Sequence, residues 1–529
     1  MKKKTLLSLI LVTAIGFSTA LIGCGSSEKN ADKSASADVK DGGTIVFCAN
    51  GNPGVLNPMY GNDRATMTID NAIFSPLLVM DGDKITYYLA DSLKHSEDYL
   101  TYTLTLKKDL KWDDGKPLTA DDVVFTLDKI LDPSQNSMLR SAFLIDNKAI
   151  KYKKINDTTV EFTLPKVSMS FEASLSGFAP IPKHIFDGAT NIAKSDKNEH
   201  PIGSGPYKFE SSSKGESVTL VRNDNYFAEK AHIDKVVYRI LEDGNSAKNA
   251  LLNGEISAMY LKPQDMDKFK DKFNIVIFNE GMLNNIVFNC KSPTIAKKEV
   301  RQAIAYALNK EELIKASNID TKYAESAYSI FTPDVPGYTT DVEKYETNVD
   351  KAKQLMEKAG VKEAKLKIAY PNGAKSIEAE GLVAQQELKK IGITLELVPM
   401  ERSAFYQKLW DPEHNDAFDL AFNGYVMGSC PNGYLPLFTK GHDNISSCYE
   451  SSVDKLWVNA NTETNKEKRD AMYKEIQQKT IDNLPIYPVD YPKSIVALDK
   501  NIGGVEEAKT VPIYMFQDLS KLYLKNIKK

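Results

Sequence analysis

"LKIAYPNGAKSIEAEGLVAQQELKKIGITLELVPM", residues 366–400, contains a strand pattern, a helix pattern and a second strand pattern in succession. The segments 366–370 and 394–399 are short and apolar, as buried strands are, whereas 376–390 has apolar residues at helical spacing. Parallel strands need a long crossover connection, and an intervening helix usually supplies it. This stretch therefore predicts an α/β fold with a parallel sheet.

The same alternation continues on both sides of this stretch. A helix is predicted from Asp350 to Gly360, and beyond residue 400 a helix over 403–409 is followed by a strand over 418–425. Ligands of α/β proteins bind beyond the carboxyl ends of the strands. The loops after Tyr370 and Tyr425, "PNGAK" and "VMGSCPNGY", are therefore candidate ligand-binding loops.

A second structured region precedes this one. "TYTLTLKK", residues 101–108, alternates apolar and polar side chains, which predicts a half-buried strand. Thr119 and Asp122 have the spacing of a capping box, so a helix is expected to begin there and to end before Pro133.

The amino terminus has the charge pattern of an export signal. Three lysines, Lys2 to Lys4, precede an apolar run, and no further charge appears before Glu28. The run ends in "LIGCGSS", which resembles the lipobox of bacterial lipoproteins. That resemblance implies cleavage before Cys24 and a diacylglyceryl thioether on its sulfur. A retained transmembrane anchor is the alternative, but the small and polar residues in the run make a poor span.

Residues 24–41 have almost no apolar content and are predicted to form a flexible tether behind a signal peptide of residues 1–23. The folded body then begins near Gly42. No later apolar run is long enough to span a bilayer. We expect a lipid-anchored protein on the extracytoplasmic face of the cell membrane.

Composition excludes some classes of function. The chain is 42% hydrophobic and 26% charged, which suits a buried core divided among two or three domains. The net charge is only -4 and there is no basic stripe, so nucleic acid is not an expected partner. Arginine is scarce, with seven in the chain, so each arginine is a candidate for a specific role.

Four cysteines follow the lipobox: Cys48, Cys290, Cys430 and Cys448. Disulfides are allowed outside the membrane, and four cysteines permit three pairings that sequence alone does not rank. We favour Cys430 with Cys448, because they flank a short loop rich in glycine and proline. Four unpaired cysteines are the alternative.

No catalytic motif is present. The chain lacks a Walker loop, a G-x-S-x-G elbow and an H-E-x-x-H motif, and its six histidines never fall at i, i+4 spacing. "PIGSGPY", residues 201–207, is rich in glycine without the lysine of a phosphate loop, and we expect a tight turn there. The protein is therefore not expected to be an enzyme, and no cofactor is expected.

Three segments together resemble one family. They are "LADSLKHSEDYLTYTLTLKKDLKWDDGKPLTADDVVFTLDKIL" (89–131), "PIGSGPYKF" (201–209) and "VRQAIAYALNKEELIK" (300–315). They resemble the family 5 extracellular solute-binding proteins, the peptide- and nickel-binding receptors of ABC importers. The resemblance runs from about Gly42 to the carboxyl terminus.

The resemblance implies a two-lobed, type II periplasmic-binding-protein-like fold with an extra α/β domain inserted in lobe one. Lobe one would comprise residues 42–83, 201–284 and 495–529, the inserted domain residues 84–200, and lobe two residues 285–494. The chain would cross between the lobes near "LNNIVFN" and "DYPKSIVAL". A monomeric receptor would close its lobes on an oligopeptide and deliver it to the permease subunits of an ABC transporter.

The resemblance and the loop positions give a set of candidate ligand-binding residues. A guanidinium grips a carboxylate in a bidentate way, so scarce arginines in a cleft suit a peptide terminus. For each arginine a structural role is the alternative, and for Tyr425 it is core packing. The candidates are Arg64, Arg140, Tyr370, Asn372, Arg402, Gly424, Tyr425 and Met427.

One departure from the family concerns the peptide's ammonium group. Peptide-binding relatives usually have an acidic residue just after the aromatic at Tyr425, whereas this chain continues with Val426 and Met427. Peptides with a blocked amino terminus, or a nickel or other metal chelate, are therefore alternative ligands. The soft ligands for a metal in this loop region are Cys430, His442, Cys448 and Met427. A surface peptidase is a more remote alternative.

Overall fold

The structure is a computed structural model, and it describes residues 41–411, 416–440 and 444–527. The predicted signal peptide, Cys24 and the tether up to residue 40 lie outside the described residues, as does His442. Within the described residues, no helix is both long enough and apolar enough to cross a membrane.

The strands, in chain order, are β1 (Thr44–Ala49), β2 (Leu78–Asp81), β3 (Lys84–Tyr87), β4 (Ala90–His95), β5 (Thr101–Leu106), β6 (Leu144–Ile145), β7 (Lys148–Ala149), β8 (Lys151–Asn156), β9 (Thr159–Thr163), β10 (Tyr207–Ser213), β11 (Ser217–Arg222), β12 (Lys235–Ile240), β13 (Ala258–Leu261), β14 (Asn274–Asn279), β15 (Met282–Phe288), β16 (Ala324–Ser326), β17 (Ala364–Pro371), β18 (Ile393–Met400), β19 (Leu420–Val426), β20 (Ile486–Leu498), β21 (Ile502–Gly503), β22 (Thr510–Val511), β23 (Met515–Phe516) and β24 (Tyr523–Leu524).

The α-helices are α1 (Arg64–Ile73), α2 (Ala120–Leu131), α3 (Phe171–Ser174), α4 (Lys183–Phe186), α5 (Gly244–Leu252), α6 (Met266–Phe269), α7 (Lys298–Ala307), α8 (Lys310–Asn318), α9 (Val349–Lys358), α10 (Lys375–Lys389), α11 (Arg402–Leu409), α12 (Leu435–Phe438), α13 (Ser451–Thr462), α14 (Lys466–Asn483) and α15 (Val505–Ala508).

One large sheet organises the molecule. Its strand order is β10-β11-β12-β1-β13-β20-β15-β19-β17-β18, and β14 and β16 also pair with β20. We call β10-β11-β12-β1-β13 the first half-sheet and β15-β19-β17-β18 the second half-sheet. The strand–helix–strand unit predicted from residues 366–400 is β17–α10–β18, and its two strands pair in parallel. A separate sheet, β4-β5-β9-β8, lies in the segment between the two parts of the first half-sheet.

The long strand β20 joins the two half-sheets. Its residues 495–498 pair with β13, and its residues 486–490 pair with β15. The sequence "DYPKSIVAL", where the chain was predicted to cross, is the central and carboxyl-terminal part of this strand. A single continuous strand therefore links both halves, and β15 begins beside its middle.

Helix α2 shows why the local sequence folds as predicted. Thr119 is the N-cap and forms a capping box with Asp122, which satisfies backbone N–H groups at the start of the helix. The helix ends at Leu131, and a short 3₁₀ helix with Pro133 at its first position follows. Val123, Leu127 and Ile130 pack into the core of this region.

The glycines of residues 201–207 allow this segment to lie against the backbone of α1, whereas a tight turn was expected there. A Cβ on Gly203 would lie 2.0 Å from the carbonyl oxygen of Ile73, and one on Gly205 would lie 2.5 Å from that of Ala72. The Gly205 N–H donates to the Ile73 carbonyl at 2.7 Å. Glycine therefore lets this segment pack directly on the end of α1.

The predicted disulfide between Cys430 and Cys448 is wrong. Cys448 is bonded to Cys290, whose Cα lies 5.3 Å away, and Cys430 and Cys48 are free thiols. The Cys290 N–H donates to the Ser446 carbonyl at 2.8 Å, which brings the segment ending at Cys448 against the residues that follow β15. The bonded pair is separated by 158 residues, so it is a tertiary link that no local loop pattern reveals.

Among the residues that the structure describes, four hydrophobic clusters form the core. The largest lies around the second half-sheet, one fills the region of the β4-β5-β9-β8 sheet, and two lie against the first half-sheet. The positions of these clusters are compatible with two lobes and an inserted domain, while the domain boundaries themselves stay predictions.

Candidate ligand-binding site

The two half-sheets point their carboxyl edges at each other. In the first half-sheet, β12 and β13 each pair in parallel with β1, so all three strands end at the same edge. Leu261, at the end of β13, pairs with Ile495 of β20. In the second, the end of β19 pairs with Met282 at the start of β15, and Asn284 pairs with Asp490. Both edges thus meet near residues 490–495, and we call this junction the cleft.

Arg64 lies at the first-half-sheet wall of the cleft. It is the first residue of α1, and its Nη2 donates to Glu280 Oε1. The guanidinium also lies over the Tyr260 ring, 4.7 Å from its centroid. Burial, the largest single effect, acts to lower the pKa of Arg64, but the Glu280 carboxylate and the Tyr260 hydroxyl together outweigh it and raise that pKa above its ordinary value. Arg64 is therefore a fixed cation whose charge is already balanced.

A cavity of about 250 Å³ lies beside Arg64. It is walled by the residues that end or follow the parallel strands, among them Ala49, Leu241 and Lys262, and by several aromatic rings. Among the described residues, Arg64 Nη1 and the buried Tyr238 hydroxyl have no hydrogen-bond partner. An apolar cavity with a few unpaired donors suits an organic ligand that carries hydrogen-bond acceptors.

Two predicted loops of the second half-sheet come together at its carboxyl edge. The Asn372 N–H donates to the Met400 carbonyl at 2.6 Å, so the loop after β17 lies beside the end of β18. Arg402 begins α11 immediately after β18, is exposed, and stacks over Tyr406 at 5.5 Å. Asn372 is exposed as well. The structure therefore brings Asn372 and Arg402 to one edge.

Gly424 has a packing reason to be glycine. It lies opposite Asn284 in the β15–β19 pairing, and a Cβ there would come within 2.2 Å of Met282 Cε and 2.8 Å of Asn284 Oδ1. Asn284 in turn donates through Nδ2 to Asp490 Oδ1 at 3.0 Å. Gly424 thus lets three neighbouring strands lie side by side at the cleft.

Tyr425 and Tyr370 are buried. Tyr425 is 5% exposed, its hydroxyl donates to the Ile330 carbonyl at 2.8 Å, and its ring packs near Tyr434. These contacts pack Tyr425 into the core, and its assignment as a ligand-binding residue stays a prediction. Tyr370, the last residue but one of β17, belongs to the same cluster, and Met427 is partly buried against it.

Arg140 is held within its own segment. It begins a 3₁₀ helix after α2, and its Nε donates to the Leu131 carbonyl at 3.2 Å. That carbonyl is at the end of α2, where cations are favoured. This contact gives Arg140 a structural role in its own segment, and its assignment as a ligand-binding residue stays a prediction.

Sequence reasoning missed a buried polar cluster behind the cleft. Asp490, Lys310 and Glu380 come from β20, α8 and α10, and burial is the main cause of a changed pKa in each. The pKa of Asp490 is raised to about 7 and that of Lys310 is lowered to about 7. The signal in the sequence was Asp490 itself, a carboxylate in the otherwise apolar "IYPVDYP".

The alternative metal-ligand set loses one member. Cys448 is disulfide-bonded, so it offers no thiolate, and His442 lies outside the described residues. Cys430 is half-buried, and burial raises the pKa of its thiol. The disulfide and the raised thiol pKa weigh against the soft-ligand site suggested for Cys430, His442 and Cys448.

A polar contact joins the segment before α3 to the helix α13. The Asn461 side chain accepts from the Ser170 N–H at 3.1 Å and donates to Ser168 Oγ at 3.2 Å. The main-chain carbonyl of Asn461 accepts from the Met169 N–H at 2.8 Å. The first segment belongs to the predicted inserted domain and Asn461 to the predicted lobe two. We call this contact the 168–170/461 bridge.

Comparison with known proteins places this geometry in a family. The family model described as bacterial extracellular solute-binding proteins, family 5 Middle, matches residues 84–445. The crystal structure of the ABC transporter substrate binding protein CtaP from Listeria monocytogenes is 43% identical, with a TM-score of 0.89 over 92% of this chain and 100% of that one.

A curated relative is the oligopeptide-binding protein AppA of Bacillus subtilis (strain 168), 31% identical over 534 residues, which are 94% of this chain and 95% of the relative. The structure of AppA from Bacillus subtilis in complex with a nonapeptide is similar too. It is 29% identical, with a TM-score of 0.75 over 92% of this chain and 100% of that one.

Two α/β half-sheets that face each other across a shared strand define a solute-binding protein of the type II periplasmic fold, as predicted. The chain belongs to the bacterial extracellular solute-binding proteins of family 5. The family consists of solute-binding proteins that act outside the cytoplasm. The similar protein CtaP is a substrate-binding protein of an ABC transporter. The predicted fold class and family are confirmed.

Proposed function

We propose that this protein captures oligopeptides in the cleft and delivers them to the permease of an ABC importer. The observation that carries the proposal is the match over nearly the whole chain to an oligopeptide-binding protein whose similar structure holds a nonapeptide. The cleft supports it, because unpaired donors at its wall suit the carbonyl groups of a peptide main chain.

We propose that two arginines contact different parts of the ligand. Arg64 is already paired with Glu280, so its free Nη1 suits a neutral carbonyl of the peptide main chain. Arg402 is exposed at the opposite edge and is free to turn its guanidinium toward a carboxylate. Asn372, held beside the end of β18, is a further donor at that edge.

We further propose that the ligand's carboxyl terminus is held more strongly than its amino terminus. The position after Tyr425 has no carboxylate, whereas Arg402 is a cation at the cleft edge. Losing a hydrogen bond to a charged group costs about 1–3 kcal/mol. Amidation of the ligand's carboxyl terminus is therefore expected to weaken binding by that amount, and acetylation of the amino terminus by less.

Two measurements test the proposal in sequence. Mass spectrometry of the purified protein under native conditions identifies bound molecules, and peptides are the expected result. Calorimetry then compares one such peptide with its amidated and acetylated forms, in the parent protein and in Arg402→Gln. Binding of a metal chelate and no peptide would reject the proposal. A larger loss of affinity on acetylation than on amidation would reject the assignment of Arg402 to the ligand's carboxyl terminus.

Lipid attachment at Cys24 is proposed from the lipobox "LIGCGSS". Two or three acyl chains give stable membrane attachment, whereas one chain does so marginally. Cys24→Ala is expected to abolish labelling by radioactive palmitate in cells, while the matched variant Cys48→Ala keeps it. Equal labelling of Cys24→Ala would reject the lipoprotein assignment. We propose that the attached receptor is a monomer.

A further inference from the structure

A second cavity, of about 310 Å³, lies on another face of α1. Arg64, Ala65 and Thr68 of this helix face the cavity of the cleft, whereas Met67, Asp70 and Asn71 face the second one. Its other walls are the segment 174–179 and the region of Tyr514 and Gln517. Tyr514 lines both cavities, so the second lies behind the cleft wall.

Asp70 is the feature of this cavity that needs an explanation. Asp70 is only 7% exposed, and neither of its carboxyl oxygens accepts a hydrogen bond of good geometry among the described residues. The Asn57 N–H comes near enough to act to lower the pKa of this carboxyl group, but it donates to the Val55 carbonyl at 2.9 Å. A Cβ on Gly61, another lining residue, would lie 3.3 Å from Asp70 Oδ2. The carboxyl group therefore reaches the wall of the cavity.

The charges around Asp70 favour a cation that comes from outside. The described lining residues include no lysine or arginine. A charged neighbour that acts on Asp70 is Asp63, whose oxygens accept from the Thr66 N–H at 2.9 Å and the Thr66 hydroxyl at 2.6 Å. Burial, together with the Asp63 charge, raises the pKa of Asp70 well above its usual range. Buried carboxylates are normally paired with a cation or hydrogen-bonded.

The remaining lining residues indicate the kind of cation. Most of them are apolar, including Phe74, Val79, Leu139 and Phe178, and the polar ones are amides and hydroxyls. The volume far exceeds the roughly 30 Å³ that one water occupies. Calcium takes six to eight oxygen ligands, whereas the described residues contain no group of three potential metal-binding side chains. An organic ammonium with an apolar tail fits better than a bare ion.

We propose that this cavity is a second binding site, separate from the cleft, for small primary amines with a short apolar chain. The positive charge of the ammonium group favours the ionised form of Asp70, so the carboxyl group releases its proton to solvent on binding and pairs with the ammonium. The apolar wall covers the chain. The rim includes the exposed Gly177 and the half-buried Met67 and Ser174, which gives the amine a route from solvent.

The test measures binding of n-butylammonium chloride to the purified protein by calorimetry and by saturation-transfer NMR. Butan-1-ol, which has the same chain without the charge, is the matched neutral probe. Saturable binding of the amine, at least tenfold tighter than that of the alcohol, is the expected result. Absent binding of the amine, or equal binding of the two probes, would overturn the proposal.

Variants locate the site. Asp70→Asn is expected to weaken amine binding at least tenfold, and Asp157→Asn, which removes an exposed charge elsewhere, is expected to leave it unchanged. Amine binding that survives Asp70→Asn would overturn the assignment. If Asp70→Asn does not fold, the comparison of the two probes on the parent protein still decides. Arg64→Gln addresses the cleft alone, so loss of peptide binding with amine binding retained separates the two sites.

Discussion

Arg64 Nη2 donates to Glu280 Oε1, and Ser494 Oγ donates to Oε2 of the same carboxylate. Arg64 begins α1, Glu280 lies between β14 and β15, and Ser494 is in the middle of β20. Glu280 therefore ties the first helix to both segments on which the chain passes between the half-sheets. A ligand that changes the angle between the half-sheets has to move this group as a unit.

The first prediction concerns this ion pair. Arg64→Met should lower the free energy of unfolding by about 1–3 kcal/mol, because it leaves the buried Glu280 carboxylate without its cation. The expected loss of stability is smaller than for a fully buried ion pair, since the Arg64 side chain is 33% exposed. Urea denaturation followed by circular dichroism measures the change.

The control for the ion pair is the double variant Arg64→Met with Glu280→Gln. If the cost comes from the unpaired charge, the second substitution restores part of the lost stability. Losses that simply add would show that the contact contributes packing and no charge pairing.

The second prediction concerns the 168–170/461 bridge. Asn461→Ala removes two side-chain hydrogen bonds to residues 168 and 170 without touching the cleft. If the bridge favours the ligand-binding conformation, the variant should bind peptide several-fold more weakly, because the competent state is less populated. Calorimetry with a bound peptide measures this.

Asn459→Ala, two residues earlier on the exposed side of α13, is the control for the bridge. A change of equal size in both variants, or none in Asn461→Ala, would assign the bridge no part in binding.

The third prediction concerns the disulfide. Peptide mapping without reductant should recover Cys290 linked to Cys448, with Cys48 and Cys430 alkylated as free thiols. Because the bond closes a long loop, replacing both bonded cysteines by serine should cost about 3–5 kcal/mol of stability. The Cys430→Ser variant should change stability much less. A linked peptide that contains Cys430 would contradict the structure.

The sequence predicted the elements better than the contacts between them. The βαβ unit of residues 366–400 and the capped helix after Thr119 follow from local periodicity and capping, which act over a few residues. Cys290–Cys448, Arg64–Glu280 and Asn284–Asp490 join residues far apart in the chain. No local pattern specifies such pairs, because they depend on how the half-sheets meet.

The candidate site was predicted in part for the same reason. Strand ends located Asn372 and Arg402, since carboxyl edges follow from a parallel α/β pattern. Tyr425 also lies at a strand end, but whether its ring turns inward depends on neighbours such as Tyr434 that only the tertiary structure supplies. Glu280 gave no signal, because a single glutamate between two strands looks like any solvated residue.

The fourth prediction concerns pH and Glu380. This carboxyl group is buried between α10 and its neighbours, and burial, with a smaller effect of the Asp490 charge, raises its pKa from 4.5 to about 8. A hydrogen bond with Ser317 acts in the opposite direction and is too weak to offset burial. At neutral pH the folded protein therefore holds a proton on Glu380 that the unfolded chain releases.

The sign of the effect follows from that proton. Between about pH 4.5 and 8 the folded state binds more protons at this site than the unfolded state, so its contribution to stability falls as pH rises. Glu380→Gln removes the titrating group while keeping its shape. Its free energy of unfolding should exceed that of the parent by about 1–3 kcal/mol at pH 8, with a smaller difference at pH 5.

Urea denaturation at pH 5, 6.5 and 8 measures both proteins, with Glu378→Gln as the control from an exposed position on the same helix. Asp490 and Lys310 remain in Glu380→Gln, and they titrate with pKa values of about 7. The variant's profile should therefore be shallower than that of the parent without being flat. A profile parallel to the parent's would mean that Glu380 is charged in the folded protein and has a partner that balances its charge.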